Sequence, residues 1–124
     1  LHEAAKKHRL KDWFVFDMSV PDMRSHLQAG NPVFTRVSEV EPEPAWLEEA
    51  AGVWLDSFSD RSYDISFVSN LLQAGKRVCV ASPELHGRTP GASWHDLRVL
   101  QSCEQLMLCT DYPVLAREFF QGAQ

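Results

Sequence analysis

Long apolar runs are missing from this sequence. None approaches the roughly 18 residues that a helix needs to cross a bilayer, and no signal-peptide pattern opens the chain. Cysteine is scarce: Cys79, Cys103 and Cys109 form an odd set without CxxC spacing, which signals neither a disulfide framework nor a zinc ribbon, and a reducing, cytoplasmic setting is expected. Positive charge is also short. Twelve Lys and Arg face 17 Asp and Glu, for a net charge of −5, so the broad positive field needed for nucleic acid or anionic membranes is absent. Lys6, Lys7, Arg9 and Lys11 do crowd the N-terminus, in a mixed pattern that reads as a solvated helix face. There is no Gly-rich phosphate loop, no GxSxG elbow, no HExxH and no internal repeat or low-complexity tract.

What is present is a series of short apolar runs that end in polar residues. Arg77-Val78-Cys79-Val80-Ala81 stops at Ser82-Pro83-Glu84, with His86 and Arg88 just beyond. An apolar, β-branched run bounded by turn residues predicts a strand buried on both faces, as in a parallel sheet. The same form recurs at 13–17, 33–37, 52–56 and 105–109. Helical spacing or capping residues fill the intervals at 2–10, 21–30, 45–51, 62–74, 93–101 and from Pro113 to about Phe120. Ser19 is a plausible N-cap, and Gly30 and Gly75 are natural helix stops. Strands alternating with helices imply parallel pairing through right-handed crossovers, and hence an α/β fold with the strands adjacent in chain order.

With 44% hydrophobic residues, 124 residues can build one domain, 1–124, with a real core. They cannot complete an eight-stranded (β/α) barrel, which takes about 250 residues. Because the chain opens on Leu1 rather than Met, we expect a fragment of a longer protein: a partial, half TIM (β/α) barrel.

Chemistry in such folds gathers where strands end. Asp17 follows the first run, but the acid that aspartyl-phosphate enzymes carry two residues later is replaced by Ser19; a phosphatase-like role for Asp17 competes with a plain loop hydrogen bond. Arg36 and Glu39 follow the second run. The Arg36 guanidinium is either a phosphate fork or half of an Arg–carboxylate pair. Glu84, His86 and Arg88 alternate, so continued strand geometry would aim an acid, a base and an anion clamp to one side; the alternative is a solvated loop with local pairing. Asp17, Asp56 and Asp111, with Glu84, could surround a hard divalent cation, although no spacing motif requires it. His2, His8, His26 and His95 read as surface or helix residues.

Thr110-Asp111-Tyr112-Pro113, between the last strand and a closing helix, resembles the signature at the last strand of glycerophosphodiester phosphodiesterases. Phe16-Asp17-Met18-Ser19, Phe34-Thr35-Arg36, Gly52-Val53-Trp54-Leu55-Asp56 and Val78-Cys79-Val80-Ala81-Ser82-Pro83-Glu84 fit the same region. The chain thus looks like the C-terminal half of a barrel from the phosphatidylinositol-phospholipase-C-like phosphodiesterase superfamily. The family's His-Arg-Gly motif, metal-binding Glu and Asp and second catalytic His belong to the first half and have no counterpart here. Its usual WTVN-like segment is replaced by Val80-Ala81-Ser82-Pro83-Glu84.

The resemblance implies a hydrolase of lipid metabolism acting on a small phosphodiester with a divalent cation, Mg or Ca. The strand-end positions, not the resemblance, supply this chain's own candidates: Arg36, Glu39, Glu84, His86 and Arg88 for the substrate pocket, and Asp17, Asp56 and Asp111 for a metal. The chain alone would be inactive, completed by the missing N-terminal half or by self-association through apolar edges at Trp13–Phe16 or Leu106–Cys109. The other readings are a stand-alone α/β domain binding a small anion or a protein partner, and the phosphatase-like domain.

Overall fold

The computed structural model describes residues 1–59 and 64–121. Helices α1 (His2–Lys7) and α2 (Val20–Gln28) precede strand β1 (Phe34–Val37). Strand β2 (Gly52–Leu55), helix α3 (Ile65–Gln73) and strand β3 (Arg77–Ala81) follow, then a 3₁₀ turn at Pro83–His86 and helix α4 (Gly91–Leu97) with a 3₁₀ extension over Arg98–Leu100. Strand β4 (Leu106–Cys109) and helix α5 (Pro113–Gln121) close the chain as described. The four strands form one parallel sheet in the order β1-β2-β3-β4, as the alternation of runs predicts.

Helices α3, α4 and α5 pack on one face of this sheet. Val37, Val53, Leu55, Val78 and Val80 point to that side and form a core with Val68 and Leu71 of α3 and Leu97 of α4, with Phe120 of α5 packed on it. The opposite face presents Phe34, Trp54, Cys79 and Ala81, flanked by Phe14, Leu85, Met107 and Cys109. None of those residues lies on an α-helix. A parallel sheet wound in chain order, with helices on one side only, is an arc of a (β/α) barrel. A doubly wound sheet would reverse its strand order and cover both faces.

Aromatic rings line the inner side of the arc. Phe14 stacks on Phe34 with centroids 3.9 Å apart, and Phe16 stacks on Trp54 at 4.1 Å. Glycine is required at position 52 by space: a Cβ there would stand 2.6 Å from both the Arg77 carbonyl oxygen and the Phe34 ring.

Several local expectations need correction. Residues 13–17 do not form a strand; they make a single parallel bridge, Val15 with Val33, closed by Val15 N–H to Pro32 O and Phe34 N–H to Val15 O, both 2.9 Å. Pro32 has no N–H to extend that ladder one way, and Asp17, at φ 60°, turns out of the extended region the other way. Residues 45–51 form turns rather than a helix, because Trp46 sits at φ 57°. The first helix ends at Lys7, ahead of Arg9 at φ 56°. The helix expected over 62–74 begins at Ile65, capped by the Asp64 carboxylate accepting from Ser66 N–H at 2.9 Å; positions 62 and 63 lie outside the described residues. The caps at Ser19 and the left-handed stops at Gly30 and Gly75 are as expected.

The edges carry apolar surface. Phe16 is 41% exposed, and all four residues of β4 are only half-buried. A cavity of about 180 Å³ lies beside β4, lined by Leu97, Gln101, Cys103, Leu106, Met107, Leu108 and Phe120. Among the described residues no helix is long and apolar enough to cross a membrane.

Candidate functional site

Parallel strands start together and end together, so the polar residues that follow each run meet at one rim. Asp17, Arg36, Glu39, Asp56, Glu84, His86 and Arg88 act there as links between neighbouring loops, whereas Asp111 takes part through its backbone N–H. Arg36, on β1, donates to Asp17 Oδ1 at 2.6 Å and through Nε to Glu41 Oε1 at 3.0 Å. Glu39, after β1, accepts from Phe58 N–H, after β2, at 2.6 Å. Asp56, after β2, meets His86 Nε2, after β3, at 2.7 Å. Arg88 donates from both terminal nitrogens to the carbonyls of Ser57 and Ser59. Glu84 ties the end of β3 to the end of β4, accepting from the hydroxyls of Ser82 and Thr110 and from Asp111 N–H at 3.1 Å.

Each link has a local cause. The 3₁₀ turn at Pro83–His86 and the left-handed Gly87, at φ 76°, swing His86 back toward β2. Strand geometry therefore does not persist beyond Ser82, and Glu84, His86 and Arg88 do not alternate on one side as the sequence suggested; they reach three different partners. Ser38 and Glu41 form an antiparallel bridge that folds the loop after β1 on itself, which brings Glu41 to Arg36. Sequence reasoning missed Glu41, because Ser38-Glu39-Val40-Glu41 contains no glycine or proline to mark the turn.

The electrostatics follow from these contacts. The hydrogen bond that Arg36 donates to Glu41 and the nearby charges of Glu41, Asp17 and Asp56 raise the Arg36 pKa, against the effect of burial. Burial pushes the Glu84 carboxyl up, but the hydroxyls of Ser82 and Thr110 and the N–H groups of Glu84 and Asp111 outweigh it and hold the group below its usual range. Glu39 is lowered in the same way, burial being overcome by N–H donors of Glu39, Phe58 and Ser59. On the inner face, burial pushes the Cys79 thiol up to about 12. Burial and the charges of Asp111, Glu84 and Asp56 raise Cys109, so this thiol lies beneath the acidic part of the rim.

Two consequences bear on chemistry. The Arg36 fork is spent on two carboxylates and the Arg88 fork on two carbonyls, so a phosphate would have to displace a partner to use either. Among the described residues no three His, Cys, Asp or Glu side chains come together to hold a metal ion. Asp17, Asp56 and Asp111 sit on three separate loops, and Asp17 and Asp56 already face cationic or N–H partners, so these residues do not by themselves fit a divalent cation. Ser19, the other group in the phosphatase reading, serves as the N-cap of α2, accepting from Asp22 N–H at 3.3 Å.

His86 is held differently from its neighbours. Its ring packs edge-on against Phe58, with centroids 4.9 Å apart, while Nε2 is fixed by Asp56. Asp56 is itself anchored by Ser57 N–H at 2.8 Å and its side chain is only 11% exposed.

No family model matches the chain, and no curated protein or solved structure matches it either.

Proposed function

We propose that this chain forms the C-terminal part of a glycerophosphodiester phosphodiesterase-like (β/α) barrel, and that its rim closes the substrate pocket of an enzyme that hydrolyses a small phosphodiester. The observation that carries the reading is the arc itself: a parallel sheet in chain order, helices on one face, and the polar strand-end groups on one rim. The Thr110-Asp111-Tyr112-Pro113 segment supports it, since Thr110 and Asp111 hold Glu84 at that rim. Glu39, Glu84 and His86 line the pocket, while Arg36 and Arg88 shape it through the partners they bind. A catalytic cation, Mg or Ca, would take its ligands chiefly from residues outside those described. Three free thiols fit a reducing, cytoplasmic compartment.

The test is the coding sequence upstream of Leu1, followed by assay of the whole product on a glycerophosphodiester. A strand ending in His-Arg-Gly and release of the alcohol are expected. Absence of that strand, or a whole product that leaves phosphodiesters intact, overturns the reading. A second reading, a stand-alone α/β domain that binds a protein partner, is favoured by the half-buried β4 edge. It predicts a partner strand added beside Leu106–Cys109 and no hydrolysis.

A further inference from the structure

We propose that His86 is a proton-accepting catalytic residue of this rim and that Asp56 is its positioning residue. An ionised carboxylate can only accept, so the 2.7 Å contact between Asp56 Oδ1 and His86 Nε2 places the ring proton on Nε2. The neutral ring then carries its lone pair on Nδ1, and no described residue donates to that atom. The ring is held from a second side by Phe58, and its side chain keeps 28% of its surface in solvent. Asp56 is in turn fixed by Ser57 N–H at the end of β2. A carboxylate, an oriented imidazole and a ring nitrogen that no described residue engages are the parts that general-base catalysis needs.

The step balances with water as the only co-reactant. His86 Nδ1 takes a proton from water as the water oxygen bonds to the electrophilic phosphorus or carbon. The bond to the leaving oxygen then breaks, and the ring returns its proton to that oxygen. Asp56 takes no part in the proton transfer and holds the ring in place while it lasts.

The choice of phosphodiester as substrate rests on the function proposed above; the base does not, so the experiment uses two probes. The whole gene product and its His86→Gln and Asp56→Asn variants are assayed on bis(p-nitrophenyl) phosphate and on p-nitrophenyl acetate. Nitrogen NMR of the same proteins reads the His86 tautomer. We expect the Nε2–H tautomer in the wild type, a loss of at least about tenfold in kcat for His86→Gln on both probes, and a fall in kcat at unchanged KM for Asp56→Asn together with a mixed tautomer. A predominant Nδ1–H tautomer, or His86→Gln rates equal to wild type, overturns the assignment. Phosphodiester cleavage untouched by His86→Gln removes His86 and leaves the phosphodiesterase reading. Acetate cleavage that depends on His86 in a protein inert toward the phosphodiester keeps His86 and removes that reading. Inertness toward both overturns both.

Discussion

Replacing Glu84 by Gln should loosen the seam between the ends of β3 and β4, by an amount that depends on pH. The wild-type carboxylate accepts from the Ser82 and Thr110 hydroxyls and from Asp111 N–H. A glutamine must keep its oxygen on the Thr110 and Asp111 side, since its NH₂ would otherwise oppose an N–H donor. The NH₂ then faces Ser82 Oγ, which already accepts from Trp94 Nε1 at 2.8 Å in a buried position. That hydroxyl can accept twice, but its own proton loses its acceptor. Losing one charge-assisted hydrogen bond and weakening two others at a half-buried site should cost about 1–2 kcal/mol. For a domain of this size that is roughly 3–10 °C in Tm.

The pH dependence has a definite sign. The folded carboxyl lies below the ordinary value of 4.5, so on acidification the unfolded chain binds the proton first. The stability Glu84 supplies is therefore complete above about 4.5 and is lost as pH falls through the depressed folded value. Urea titrations of wild type and Glu84→Gln across that range should show a gap at neutral pH that closes in acid. A gap constant with pH, or a glutamine variant as stable as wild type at pH 7, would refute the reasoning.

Other substitutions probe the remaining parts of the arc. Gly52→Ala should lose about 1–3 kcal/mol by urea denaturation, because the new methyl meets the Arg77 carbonyl and the Phe34 ring at 2.6 Å; a neutral result would mean that β1 and β2 can part cheaply. Arg36→Ala should cost no more than about 1 kcal/mol, since the Arg36, Asp17 and Glu41 side chains are 34%, 63% and 46% exposed, and added salt should shrink that cost. A large, salt-independent loss would give Arg36 a different structural role. Cys79, buried and raised to about 12, should be alkylated only after half-buried Cys103, as followed by mass spectrometry at pH 8; the reverse order would mean that the inner face is open to solvent.

The architecture is legible in this sequence because it depends on pattern alone. Val53 and Leu55, or Val78 and Val80, are apolar on one face of the sheet, while Trp54 and Cys79 are apolar on the other, and only a strand covered on both sides tolerates that. The misread segments fail for the opposite reason. Trp13-Phe14-Val15-Phe16 has the composition of a strand, yet its pairing depends on the donor that Pro32 lacks and on the backbone turn at Asp17. Ala45–Ala51 has helical composition, and one left-handed residue, Trp46, prevents it. Composition scores side chains; a missing donor or a positive φ acts through the backbone and leaves little trace in it.

The rim is legible in membership but not in pairing, and the register explains why. Leu55 stands opposite Val80, so the first residues beyond β2 and β3 leave the sheet side by side. Which of them meet depends on how each loop turns back, and the 3₁₀ turn at Pro83–His86 selects Asp56 for His86 rather than the nearer Glu84 or Arg88. The same rule runs along the arc: Asp17 with Arg36, Glu39 with Phe58, Asp56 with His86, and Glu84 with Thr110 and Asp111 each join one strand-end loop to the next. Links between successive loops fix the spacing of the rim whatever its chemistry, so fixity alone does not single out a reacting group. An atom that no link consumes, on a ring that such a link orients, does, and His86 Nδ1 meets that condition among the described residues because Asp56 and Phe58 hold the ring by its other sides.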